Sequence, residues 1–172
     1  MSWDAAIFGS LTIPAAEVKA WLAREADSAK VPNAETYLSM AEVSGKTVKK
    51  TLAAIEKFKD KDGLGFIELQ RAEDGTRIDV RAFLCKDDYL ERSVALASIW
   101  AAAGAGSVGE LYFAGMLTAS FCQRLTMSKK GVALEPFAYG VAKKLPVYDE
   151  IRRRVAARAA ELGVLLRSIT VR

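Results

Sequence analysis

Several clusters of residues in this chain have types and spacings that could do chemistry. Residues 60–71, DKDGLGFIELQR, put Asp60 and Asp62 at the first and third places of a calcium-loop spacing, with Gly65 at the sixth and Ile67 at the eighth. Such a loop needs an oxygen donor at its fifth place and a bidentate glutamate at its twelfth. Leu64 and Arg71 stand there instead, so a guanidinium sits where two anionic oxygens belong. A plain helix-to-strand turn is the expectation. Residues 104–109, GAGSVG, match the glycine spacing of a dinucleotide fingerprint. That fingerprint follows a strand and opens a helix whose N-terminus holds the pyrophosphate. Here the pattern follows a helix and opens a strand, which makes it a helix end and a tight loop.

Two charged clusters remain. Asp87, Asp88 and Glu91 open a helical stretch, and Asp88 with Glu91 three residues on has the spacing of a capping box. Carboxylates in a first helical turn are favoured by roughly 0.3–1 kcal/mol each, so capping accounts for them without a metal or an acid–base role. Arg152, Arg153, Arg154 and Arg158, preceded by Lys143 and Lys144, form the strongest electrostatic feature. Glu150 lies four residues before Arg154 and is expected to pair with it. With Lys129, Lys130, Arg167 and Arg172, these arginines form a candidate patch for phosphates or for an acidic protein.

The composition removes whole classes of mechanism. The chain has no histidine, so Ser-His-Asp and Cys-His catalysis and histidine-ligated zinc are excluded. Its two cysteines, Cys85 and Cys122, lie in apolar strand-like stretches and read as reduced, packed thiols. Chemistry built on carboxylates, lysine or tyrosine stays open. No catalytic residue, metal or cofactor is assigned. Charge is uneven along the chain. Residues 1–120 carry 14 Lys+Arg against 17 Asp+Glu, a net of −3, and residues 121–172 carry 11 against 4, a net of +7.

Positioning these residues requires a packed domain. With 172 residues, 51% of them hydrophobic and 27% charged, the whole chain (1–172) reads as a single α+β domain. The patterns predict a strand over 4–13, a helix from Pro14 that fades by Ala26, and an ambiguous stretch over 27–45. They continue with a helix over 46–59 carrying Val48, Leu52, Ile55 and Phe58 on one face, and strands over 66–71 and 77–84 joined at Asp74-Gly75. In the second of these strands Ile78, Val80 and Ala82 alternate with Arg77, Asp79 and Arg81, one face core and the other solvent. The helix that follows runs to Ala103 with almost no polar face, so it should be central and buried. Strands over 110–116 and 120–127, a turn at SKKG, a helix from Pro146 to Gly163 and a last strand over 164–171 complete the pattern. The result is a largely antiparallel sheet of about five to seven strands with about four helices on a face.

The expected function is a non-catalytic partner-binding or inhibitory protein, such as an immunity-type protein that neutralises a toxin. A protein partner would meet Asp87, Asp88 and Glu91 or Arg152, Arg153, Arg154 and Arg158. The alternatives are a nucleic-acid-binding protein using the basic C-terminal third, or a small-ligand sensor or enzyme using carboxylates only. MSWDAAIFGS carries no basic leader, and glycines interrupt the apolar run from Ser93 to Cys122, so a cytoplasmic location without membrane insertion is expected.

Overall fold

The first strand in sequence occupies the middle of the sheet. In the computed structural model, which describes residues 4–38, 41–61, 63–85, 87–116 and 121–164 without the side chains of 87–90, β1 (Asp4–Thr12) lies between β3 (Arg77–Cys85) and β4 (Val108–Gly115). It pairs antiparallel with both, Asp4 opposite Cys85 and Ala5 opposite Gly115. The hairpin β2 (Phe66–Arg71) to β3 adds one edge, and the meander β4, β5 (Cys122–Ser128), β6 (Gly131–Pro136) adds the other. The order is β2-β3-β1-β4-β5-β6 and every pairing is antiparallel. Both β3 and β4 oppose β1, so they run parallel to each other. The long helix between them crosses over β1.

The β2–β3 turn forms where Asp74-Gly75 predicts it. The Asp74 carboxylate accepts from the Thr76 amide (3.0 Å) and hydroxyl (2.7 Å), and Gly75 has φ +73°. Those two bonds hold the Asp74 carboxyl below the usual carboxylate range.

Helices cover both faces of the sheet, not one. On the first face lie α1 (Val18–Ala23), α2 (Ala34–Tyr37), α3 (Val48–Glu56) and α4 (Asp87–Ala101). Here Ile7, Leu11, Ile78, Val80 and Leu111 of the sheet meet Trp21, Leu52, Ile55, Leu96 and Trp100 of the helices. Residues 93–103 are buried without exception, so α4 is the central helix the sequence predicts. The two buried indoles are satisfied by backbone: Trp21 donates to the Ile99 carbonyl and Trp100 to the Ser10 carbonyl, each at 3.1 Å. On the second face α5 (Tyr139–Ala142) and α6 (Pro146–Glu161) pack Ala142, Tyr148, Ile151 and Val155 against Ala6, Phe8, Phe83 and Ala114. The reason for two layers is visible in β1 and β3. Ala6, Phe8 and Phe83 point away from α4 and are as buried as their neighbours, so the sheet has apolar side chains on both sides.

Local boundaries differ in understandable ways. The helix predicted from Pro14 is a 3-10 turn (Ala15–Glu17) followed by the short α1. The ambiguous stretch holds a 3-10 turn (Ser28–Lys30) and α2, entered through Asn33 at φ +56°. Gly163 takes the left-handed conformation (φ +67°) expected past the end of α6. The strand predicted over 164–171 lies outside the described residues apart from Val164. Among the described residues no helix is long and apolar enough to cross a membrane.

Candidate interaction surfaces

Helix α6 crosses the sheet from β4 to the loop before β2. Near its start the Tyr148 hydroxyl donates to the Gly115 carbonyl (3.3 Å), and near its end Arg158 Nε donates to the Gly63 carbonyl (2.9 Å). Its four arginines are all engaged. Arg152 and Arg153 share the Asp149 carboxylate at 2.9 and 3.0 Å, and Arg158 meets Glu161 at 2.8 Å. Arg154 reaches Glu68 of β2 at 2.6 Å and lies over the Phe66 ring, 3.8 Å from its centroid. The hydrogen bond from Arg152, with the charge of Arg153 beside it, holds the Asp149 carboxyl below the usual range. The expected Glu150–Arg154 pair does not form. Glu150 turns to Arg81 of β3 at 2.7 Å because α6 lies across the strands and brings both β2 and β3 within reach.

The larger basic patch does not assemble either. Lys129 and Lys130 sit in the β5–β6 turn, six residues along β5 from Cys122, which lies beneath the α5–α6 layer. At about 3.3 Å per residue that is roughly 20 Å. Lys143 stacks on the Tyr139 ring at 4.6 Å, and Arg167 and Arg172 lie outside the described residues. The acidic cluster belongs to the other layer. Helix α4 starts at Asp87 on the first face; Glu91 is exposed there, while the side chains of Asp87 and Asp88, and hence the capping box, lie outside the description.

The motif-like segments have structural roles. Asp60 accepts from the Gly65 amide and thereby closes the turn into β2. Among the described residues no group of His, Cys, Asp and Glu is placed to hold a metal ion. The glycine segment joins α4 to β4, with Gly104 against the Arg24 guanidinium and Gly109 against the Ser10 carbonyl, as its reversed context implies. Cys85 and Cys122 are not joined in a disulfide. Two strands separate them, about 14 Å in all, far beyond the span of a disulfide. Burial pushes the Cys122 thiol up to about 11, which leaves it protonated and unreactive near neutrality.

Among the described residues three concavities reach about 410 Å³ or more; one, of about 520 Å³, lies over the segment from Asp27 to Glu42, and the other two adjoin the sheet face and α1. The first of these two lies where α6 leaves half of the second sheet face bare, a basin of about 410 Å³. Across its floor runs a row set by strand register, Gln70, Asp79, Ser10 and Glu110, which continues past the basin to Thr126 on a fifth successive strand. Its charges are fixed in pairs: Arg77–Asp79 (2.8 Å), Arg81–Glu150 (2.7 Å) and Arg124–Glu135 (2.9 Å). The Tyr112 hydroxyl donates to Glu110 (2.7 Å), and burial, with that carboxylate beside it, raises the phenol above its ordinary value. Ser10 sits between two carboxylates, but the chain has no histidine to activate it. The second concavity is a groove of about 550 Å³ between α1 and α3, floored by Val18 and Leu22 and rimmed by Lys19 and Lys49.

Neither the basin nor the groove is legible in the sequence. The basin is built from every second residue of several strands, and only their register aligns Asp79 with Glu110. Its one local signal is the Arg77-Asp79-Arg81 alternation, which reads as a solvent face. No protein-family model matches the chain, and neither a curated protein nor a solved structure matches it.

Proposed function

We propose that this chain is a non-catalytic protein-binding module that meets its partner with the basin and the exposed flank of α6. The observation that carries this reading is the bare half of one sheet face in a fold that covers the other face and the remaining half. Two rows of side chains across six strands span about 24 by 14 Å, and α6 adds a flank about 24 Å long. Together they offer on the order of 600 Å², close to the ~800 Å² that each partner contributes to a standard interface.

The charges favour a protein over a nucleic acid. Arg77, Arg81, Arg124, Arg152, Arg153, Arg154 and Arg158 stand against Glu68, Asp79, Glu110, Glu135, Asp149, Glu150 and Glu161, which balances to zero. Phosphate binding is driven by unneutralised cations that release counterions, and this surface offers few. A surface of both signs with side chains already held in place suits a partner of complementary pattern, because less side-chain entropy is lost on docking. An inhibitor of the immunity type, which masks its target and does no chemistry, is the form of this function we favour. A reducing compartment, the cytoplasm, is proposed with it and is supported by two cysteines that are not joined in a disulfide.

The test is affinity capture after crosslinking, with tagged wild type and with an Asp79→Arg/Glu110→Arg variant. A stoichiometric protein partner should be captured by the wild type, lost by the basin variant and kept by Lys130→Glu at the far turn. Capture indifferent to the basin substitutions sinks the assignment.

A further inference from the structure

Among the described residues a run of lysines without an ion-pair partner surrounds α3, whereas the arginines of α6 are all engaged. Residues 46–61 carry six lysines against Glu56 and Asp60. Glu56 faces Arg71 across 3.7 Å, and Asp60 is drawn into its own turn. Among the described residues none of the six lysines forms an ion pair with a carboxylate. Lys19 of α1 is in the same condition.

Of these lysines, Lys49 borders the groove between α1 and α3, facing Lys19. The two helices are joined at one end, where the Val48 amide donates to the Arg24 carbonyl (2.8 Å), the Ala26 amide donates to the Lys46 carbonyl (2.9 Å), and Glu25 bridges Thr47. Away from that junction the floor is apolar. Val18 and Leu22, one helical turn apart, are only half-buried, although Trp21 beside them is fully so. Ala15 and Ala23 extend the apolar strip, while Lys19 stands on the α1 rim and Lys49 on the α3 rim.

We propose that this groove docks an acidic amphipathic helix of a partner protein. Apolar side chains spaced three and four apart on such a helix would lie along Val18 and Leu22, and carboxylates on both its flanks would meet Lys19 and Lys49. An anionic bilayer fits less well, since a flat surface reaches the two rims but not the floor between them. A second copy of this chain fits poorly too, because the acidic helix α4 buries residues 93–101 in its own core and α1, α3 and α6 each carry more basic than acidic residues. The groove lies on the α4 face of the sheet, opposite the basin, so this docking does not depend on the reading given above.

The experiment uses the full chain and a fluorescein-labelled peptide of about 16 residues, with leucine at i, i+3, i+4 and i+7 and glutamate on both flanks, read by anisotropy. The wild type should bind it, with affinity falling as salt is added. Lys19→Glu/Lys49→Glu should weaken binding by about tenfold or more, and Leu22→Gln by several-fold, with unchanged circular dichroism and melting showing that both variants fold. Arg153→Glu, on the opposite face, should leave affinity unchanged. Equal binding of a peptide with lysine in place of glutamate overturns the proposal. So does binding that survives charge reversal, capture by phosphatidylglycerol vesicles in place of the peptide, or a wild-type dimer in sedimentation that Leu22→Gln dissolves.

Discussion

Replacing Arg154 by alanine removes two contacts at once, and the structure gives the size of each. Its ion pair with Glu68 is short, 2.6 Å, but 47% and 45% of the two side chains are exposed, so solvent screening limits it to about 0.2–1 kcal/mol. The guanidinium lies 3.8 Å from the Phe66 ring centroid, a contact worth about 0.5–1 kcal/mol at a partly exposed site. Arg154→Ala should therefore cost about 0.7–2 kcal/mol. For a chain of this length each kcal/mol moves Tm by about 2–4 °C, so the melt should fall by roughly 1–8 °C. Glu68→Ala loses the ion pair alone and should cost about half as much. Urea unfolding of the two single variants and the double variant closes a cycle whose coupling should be about 0.5 kcal/mol and should shrink in high salt. Arg154→Lys separates the two contacts, since it keeps a charge and loses the planar stack. A neutral Arg154→Ala with zero coupling would refute the reasoning. It would mean that the α6 arginines are free in solution, and it would restore the phosphate-binding reading.

Three further outcomes follow from the same geometry. Any Cβ at Gly9 would collide with the Glu110 carbonyl oxygen across the β1–β4 pair, so Gly9→Ala should cost about 2–3 kcal/mol in urea unfolding, whereas Gly140→Ala, with open space around it, should be neutral or slightly stabilising. The Cys122 thiol is raised from about 9 to about 11 in the fold, so the folded state holds its proton more tightly than the unfolded chain. Its stabilising effect is whole below about pH 9 and is lost as pH climbs through about 11. Cys122→Ala should flatten the urea midpoint over that window, and a slope unchanged by the substitution would refute the assignment. Finally, Arg152, Arg153, Arg154 and Arg158 replaced together by alanine should leave binding to duplex DNA, measured by anisotropy at physiological salt, no tighter or weaker than the wild type's non-specific level of about 10⁻⁴ M. A strong, salt-sensitive affinity that this variant loses would favour nucleic acid as the partner.

Secondary structure was legible where one local signal decided it. Asp74-Gly75 set the β2–β3 hairpin, and the absence of charged residues after Arg92 marked α4 as central. The short α5 carried no such signal: its four residues gain stability from burying Ala142 beneath the sheet, which is a tertiary event. The place of β1 was not legible either, since nothing in DAAIFGSLT says that a hairpin will close on one side of it and a meander on the other. The run of alternation in β3 suggested one wet face along its whole length. Phe83 breaks that alternation, and it does so where α6 crosses.

Charge was the property read least well, and the cause is general. A net of +7 in the last third of the chain describes covalent neighbours, whereas the field at a surface depends on spatial ones. Glu68 meets Arg154, and Arg81 takes Glu150, across sequence separations that no local window spans. Arginine reaches such partners readily because its planar fork matches a carboxylate and stacks on a ring, as it does on Phe66 and on Phe137 under Arg124. Lysine is a compact, strongly hydrated charge that loses more on being fixed, so the lysines of α3 stay unmatched at the surface. The conspicuous arginine run is therefore the part of this protein that holds α6 to its sheet. The quieter lysines beside Val18 and Leu22 carry the charge that remains for a partner.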